Sequence, residues 1–133
     1  MTAAFGAISL RAFSYLWRFG THRLAELCLT TDRIKGRVLS RPFGTGRLFL
    51  EVERSTMHRH VYLEGERFVA ERFLLRSLLS AGGTAVDVGA NIGYMSLLLA
   101  RWLGDSGRVY AFEPDPDNYR ELARNQAGNP WAQ

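Results

Sequence analysis

Residues 85–118 read AVDVGANIGYMSLLLARWLGDSGRVYAFEPDPDN, and this stretch decides the fold. The run Thr84–Val88 is short and rich in β-branched residues, as a buried strand requires. It meets a turn, Asp87-x-Gly89-x-Asn91-x-Gly93, which opens into the helical run Tyr94–Leu103. Gly104 suits a left-handed helix cap, and Asp105-Ser106-Gly107 completes a second turn. Arg108–Phe112 is a second apolar strand, and Asp115 with Pro116 predicts an N-cap and first helical position for a segment running to about Gln126. Strand, helix, strand, helix is the signature of a parallel sheet with right-handed crossovers.

The turn has its own chemistry. Glycines let backbone approach a ligand closely and permit positive φ. Asn91 is the residue type that best tolerates the same conformation. The helix beginning near Gly93 directs its positive end and its first amides at whatever lies over the turn. Glu113, at the carboxyl end of the next strand, is placed to accept hydrogen bonds from vicinal ribose hydroxyls. A nucleoside-containing ligand across the ends of two parallel strands is the reading.

Its class follows by exclusion. A dinucleotide turn wants G-x-G-x-x-G. Here Asn91 occupies the middle glycine and Tyr94 the last, so a pyrophosphate fits poorly. No Gly-Lys-Ser/Thr phosphate loop is present. A ligand without phosphate, whose tail carries an ammonium for Asp87 and a carboxylate for the turn amides, fits better. That description is S-adenosylmethionine.

VDVGANIGY followed by GRVYAFEPDPDNY resembles the first two motifs of class I S-adenosylmethionine-dependent methyltransferases, and specifically the FkbM family. The close likeness covers residues 81–125, and a looser one reaches back to about Val61. The resemblance implies that Asp87, Gly89, Ala90, Asn91, Gly93 and Tyr94 form the cofactor turn. It implies that Glu113 holds the ribose and that Pro114 lies beside the adenine. It also implies a Rossmann-like α/β sheet that is incomplete here. The family's third strand, and a fourth carrying an L-K-I-D-x-E-G-like segment, do not follow within the chain. The expectation is therefore an amino-terminal fragment, inactive alone, of an enzyme methylating a sugar or other small-molecule hydroxyl. The alternative is a non-catalytic remnant acting as a binding module. No catalytic residue is assigned; the histidines His22, His58 and His60 all precede the motif and read as surface or lid residues.

The rest of the chain bounds these readings. At 133 residues with 47% hydrophobic content, it is one small domain able to form a core. Sixteen of the seventeen basic residues are Arg, and the net charge is +4. Residues 1–80 carry thirteen basic and seven acidic groups, and residues 81–133 four and six. That excess is too diffuse for a nucleic-acid stripe. Cys28 is the single cysteine, which excludes an internal disulfide framework and a multi-thiolate metal site. The apolar residues of 4–29 are interrupted by Arg11, Arg18, Arg23 and Glu26, so no stable membrane insertion is expected. With no convincing targeting segment, cytoplasm is the default compartment.

Two divisions are expected: a helix and hairpin extension over 1–80, and the first two β/α units over 81–133. Within the extension, helices are expected over 5–29, a turn-rich connector over 30–46 and a strand over 47–54. A second strand is expected over 59–63, and an amphipathic helix over 67–80. Met95, Leu97, Leu98, Leu99, Trp102 and Leu103 exceed the cover that two strands and one helix provide.

Overall fold

The structure is a computed structural model that describes residues 28–29, 32, 34–65 and 68–132. Among these the fold is small and α/β, with two two-stranded sheets and four helices. Strands β1 (Leu39–Phe43) and β2 (Gly46–Leu50) form one sheet, joined through Gly44 and Thr45. Helices α1 (Thr56–Glu64) and α2 (Val69–Leu78) follow. Then come β3 (Thr84–Val88), α3 (Tyr94–Leu103), β4 (Arg108–Phe112) and α4 (Pro116–Ala127).

The β3–α3–β4–α4 order matches the sequence reading. β3 and β4 are parallel, in the register Thr84 with Arg108 through Val88 with Phe112. Asp115 accepts the amides of Asp117 at 3.0 Å and Asn118 at 2.8 Å, with Pro116 at the first helical position. This N-cap satisfies donors that α4 would otherwise leave orphaned.

Three expectations for the first eighty residues need correction. The connector over 30–46 contains strand β1, and the expected strand over 47–54 is β2, ending at Leu50 before a turn at Val52 and Glu53. Residues 59–63 are helical, within α1, because Ser55 caps the preceding end: its Oγ accepts the His58 amide at 3.1 Å. Gly65 closes the other end in the left-handed conformation. Residues 59–63 read as a short strand, yet they belong to a helix that buries His58, Val61 and Leu63. The helices expected over 5–29 lie outside the described residues except for Cys28 and Leu29, which are helical.

The described residues group into two compact units. The first contains residues up to Arg41 together with Glu51–Gly65. In it the Arg41 guanidinium donates to the carbonyls of Val61 and Tyr62, each at 2.7 Å, near the end of α1, where the Val61 carbonyl also accepts the Gly65 amide at 3.0 Å. His58 is buried, with Nδ1 3.0 Å from the Glu51 carbonyl.

The second unit contains Pro42–Leu50 and Phe68 onward. Its core is Leu48, Leu50, Ile92, Tyr94, Leu97, Leu98, Leu99, Leu103 and Leu122, all buried. Each such side chain removed from water contributes roughly 1.5–3 kcal/mol. Most of α3 is therefore covered, where the sequence predicted a shortage. Tyr94 packs edge-on against Phe43, which also stacks on Trp131. Segment 42–50 thus supplies cover that sequence reasoning assigned only in part.

The shortage falls elsewhere. Val86, Val88, Tyr110 and Phe112 share the outer face of the β3–β4 pair and are all exposed, Val88 to 81%. Helix α2 forms as its periodicity predicts, yet none of its residues is buried and Phe73 is 82% exposed. Parallel sheets ordinarily carry helices on both faces; among the described residues only one face is covered.

Candidate functional site: the carboxyl ends of β3 and β4

The register fixes where the site forms. Val88 pairs with Phe112, so Gly89 and Glu113 leave the sheet side by side. The Phe112 carbonyl accepts both the Gly89 amide (2.8 Å) and the Ala90 amide (3.0 Å), which draws the turn across the end of β4. The Asn91 amide donates to Glu113 Oε2 at 2.7 Å. The Ile92 amide donates to the Asn91 side-chain oxygen at 2.8 Å, and the Gly93 amide to the Ala90 carbonyl at 2.9 Å. Every amide from Gly89 to Gly93 thus donates within the chain, so the turn amides expected to face a ligand carboxylate are already partnered, and the turn is a preorganised surface.

Its backbone explains its residue types. Gly89, Asn91 and Gly93 have φ of 80°, 51° and 82°. The two glycines differ in their surroundings. A Cβ on Gly93 would sit 3.3 Å from Leu122 Cγ, so a side chain there would crowd α4. A Cβ on Gly89 would meet nothing within 4 Å. Open space at Gly89 is where a ligand can press against backbone.

The sequence-derived residues occupy distinct places. Glu113 is half-buried, and its second oxygen, Oε1, accepts the Asp115 amide at 2.9 Å. Pro114, between them, is exposed. Ala90 and Tyr94 are buried, Tyr94 at the start of α3. Asp87, half-buried in β3, accepts the Ser96 hydroxyl at 2.6 Å. Asp87, Gly89, Ala90, Asn91, Gly93, Tyr94, Glu113 and Pro114 therefore gather around the ends of two neighbouring strands and the start of α3. His58 and His60 belong to the other unit, and His22 lies outside the described residues.

Two supporting residues escaped sequence reasoning. Ser96 is a small polar residue inside the apolar run Tyr94–Leu99, and its hydroxyl holds Asp87. Asn125 is fully buried and ties three backbone groups. Its Oδ1 accepts the Phe49 amide at 2.6 Å; its Nδ2 donates to the Phe49 carbonyl at 3.0 Å and the Ile92 carbonyl at 2.8 Å. Asn129, one turn on, donates to the Arg47 and Asn125 carbonyls. One signal was present: Asn125 shares a helical stripe with buried Leu122, and a buried polar residue is usually a bonded one.

A groove of about 300 Å³ runs alongside β4, lined by Val109, Ala111, Phe112, Leu97, Tyr119 and Leu122 among others. Gly93 borders it, but Asp87, Gly89, Asn91 and Glu113 do not. The cofactor reading rests on the strand ends, where the open backbone and the carboxylates are. Among the described residues no group of three or more His, Cys, Asp or Glu is arranged to hold a metal ion, and no helix is long and apolar enough to cross a membrane.

Residues 87–131 match the family model of the methyltransferase FkbM domain, about a third of the chain. This bears out the resemblance drawn from the turn and the second strand. Neither the curated proteins nor the solved structures gave a match.

Proposed function

We propose, with the FkbM-domain match over residues 87–131 as the premise, that the β3–β4 strand ends bind S-adenosylmethionine for methyl transfer. The observation that carries the reading is the pairing of an open, positive-φ Gly89 with the Glu113 carboxylate across adjacent parallel strand ends. On this reading the sheet is the start of a Rossmann-like class I arrangement.

The residues present suit that ligand. The space above Gly89 admits the methionine portion, and Asp87, oriented by Ser96, offers negative charge toward its ammonium. Glu113 accepts ribose hydroxyls with lone pairs that its two amide contacts leave over. Pro114, exposed beside Glu113, offers an apolar surface to the adenine. When bound, the cofactor supplies a methyl group on a positively charged sulfur. The chain's part is to hold that methyl in line with an acceptor oxygen, where proximity supplies most of the acceleration.

A small-molecule hydroxyl, of a sugar or other natural product, is the proposed acceptor. Removing its proton calls for a base, and no described side chain is assigned that role. A second reading, a cofactor-binding interaction module without catalysis, is favoured by the exposed face of Val86, Val88, Tyr110 and Phe112. Calorimetric titration of the protein with S-adenosylhomocysteine and with a nicotinamide dinucleotide tests the ligand. Binding of the first alone is expected, and binding of the dinucleotide alone would overturn the reading. Transfer of labelled methyl to sugar acceptors then separates the enzyme from the module.

A further inference from the structure

Glu113 stands at the centre of a hydrogen-bonded chain that a ribose contact alone does not explain. One carboxylate oxygen takes the Asn91 amide from the β3–α3 turn, and the other takes the Asp115 amide. Asp115 in turn caps the first turn of α4 through Asp117 and Asn118. The carboxylate, twenty-two positions from Asn91 in sequence, therefore joins the glycine turn to the N-terminus of the helix after β4.

We propose that Glu113 is a positioning residue, whose carboxylate builds the cofactor turn before any ligand arrives. The inference rests on the cofactor reading for its consequence but not for its mechanism. Asn91 is one of only two non-glycine residues with positive φ among those described. An Asn in that conformation needs something to keep it there. The Glu113 carboxylate supplies this by fixing its amide, while the Asn91 side chain accepts the next amide, that of Ile92. With Asn91 held, Gly89 presents its open face on one side and Gly93 packs against Leu122 on the other. Ribose hydroxyls then meet a carboxylate already aimed by two amides, so little ordering remains at binding.

The two roles separate experimentally through a ligand that lacks the ribose hydroxyls. Glu113→Gln keeps the side-chain shape but offers a single acceptor oxygen for two amides. Affinities of wild type and Glu113→Gln are compared for S-adenosylhomocysteine and for its 2′,3′-dideoxy analogue. A positioning role predicts a loss of about threefold or more on the dideoxy analogue, and a larger loss on the parent. Unchanged affinity for the analogue, with a loss on the parent alone, would reduce Glu113 to a ribose ligand and overturn the proposal.

Amide hydrogen exchange needs no ligand and decides the matter independently. In the ligand-free wild type the Asn91 amide is expected to exchange at least tenfold more slowly than in Glu113→Gln and Glu113→Ala. Exchange at the same rate in all three proteins, or at the unprotected rate in wild type, would overturn it. Failure of wild type to bind S-adenosylhomocysteine while Asn91 remains protected would sink the cofactor reading and leave the positioning role intact.

Discussion

Asn125 donates from its side chain to the Ile92 carbonyl at 2.8 Å, so a residue at the far end of α4 holds the backbone of the glycine turn. The same amide group pairs with both backbone groups of Phe49. β2, α4 and the turn thus meet at one fully buried side chain. Whatever the turn binds, its shape depends on α4 as much as on its own glycines.

Asn125→Ala should therefore be among the costliest single changes in this unit. It leaves the Phe49 amide, the Phe49 carbonyl and the Ile92 carbonyl without this partner, and unsatisfied buried groups cost about 1–3 kcal/mol each when water does not reach them. We expect a loss of about 2–4 kcal/mol in urea unfolding. A cost below about 0.5 kcal/mol, the range of ordinary surface changes, would show that the network carries little.

Gly89 and Gly93 should respond to alanine in opposite ways. Both sit at positive φ, so each substitution carries about 1–2 kcal/mol of backbone strain. Gly93→Ala adds crowding against Leu122, and its extra cost should appear in thermal unfolding. Gly89→Ala meets no protein atom and should lose mainly S-adenosylhomocysteine affinity, by tenfold or more. Equal stability loss in the two variants, with binding unaffected in Gly89→Ala, would contradict this assignment.

Ser96→Ala removes the hydroxyl that donates to Asp87 at 2.6 Å. Hydrogen bonds to a charged group contribute about 1.5–3 kcal/mol, and half-buried Asp87 keeps access to water, so a stability loss near 1 kcal/mol is expected. Cofactor affinity should fall less than in Asp87→Ala. The reverse ranking would mean that Ser96, rather than Asp87, faces the ligand.

The strand–helix–strand–helix core was legible because each element carried a local signal that its packing did not override. Thr84–Val88 is β-branched, Tyr94–Leu103 is free of β-branched residues, and Asp115-Pro116 announces α4. Helix α1 was missed because residues 59–63 read as a short strand, while the Ser55 cap that marks the helix start is a single residue. Most site positions were readable from the turn and from Glu113. Ser96 was not, and Asn125 showed only as a polar residue on an apolar stripe with no hint of its partners. Those partners are a carboxylate nine residues from Ser96 and backbone groups as far as 76 residues from Asn125.

The exposed apolar surface makes a prediction of the opposite kind. Phe73→Ser on α2 and Val88→Thr on β3 alter side chains that are 82% and 81% exposed. Each should change stability by no more than about 0.5 kcal/mol and should raise solubility. A loss above about 1 kcal/mol in either variant would show that the face is covered in solution.

Amide chemical-shift mapping on addition of S-adenosylhomocysteine tests the central claim most directly, since it reports whether the ligand binds and where. The account predicts that the largest shifts fall on Gly89, Asn91, Gly93, Glu113 and Asp115, with α1 and its Arg41 contacts unmoved. Absence of any shift at saturating ligand, or shifts confined to α1 or to the groove beside β4, would contradict it.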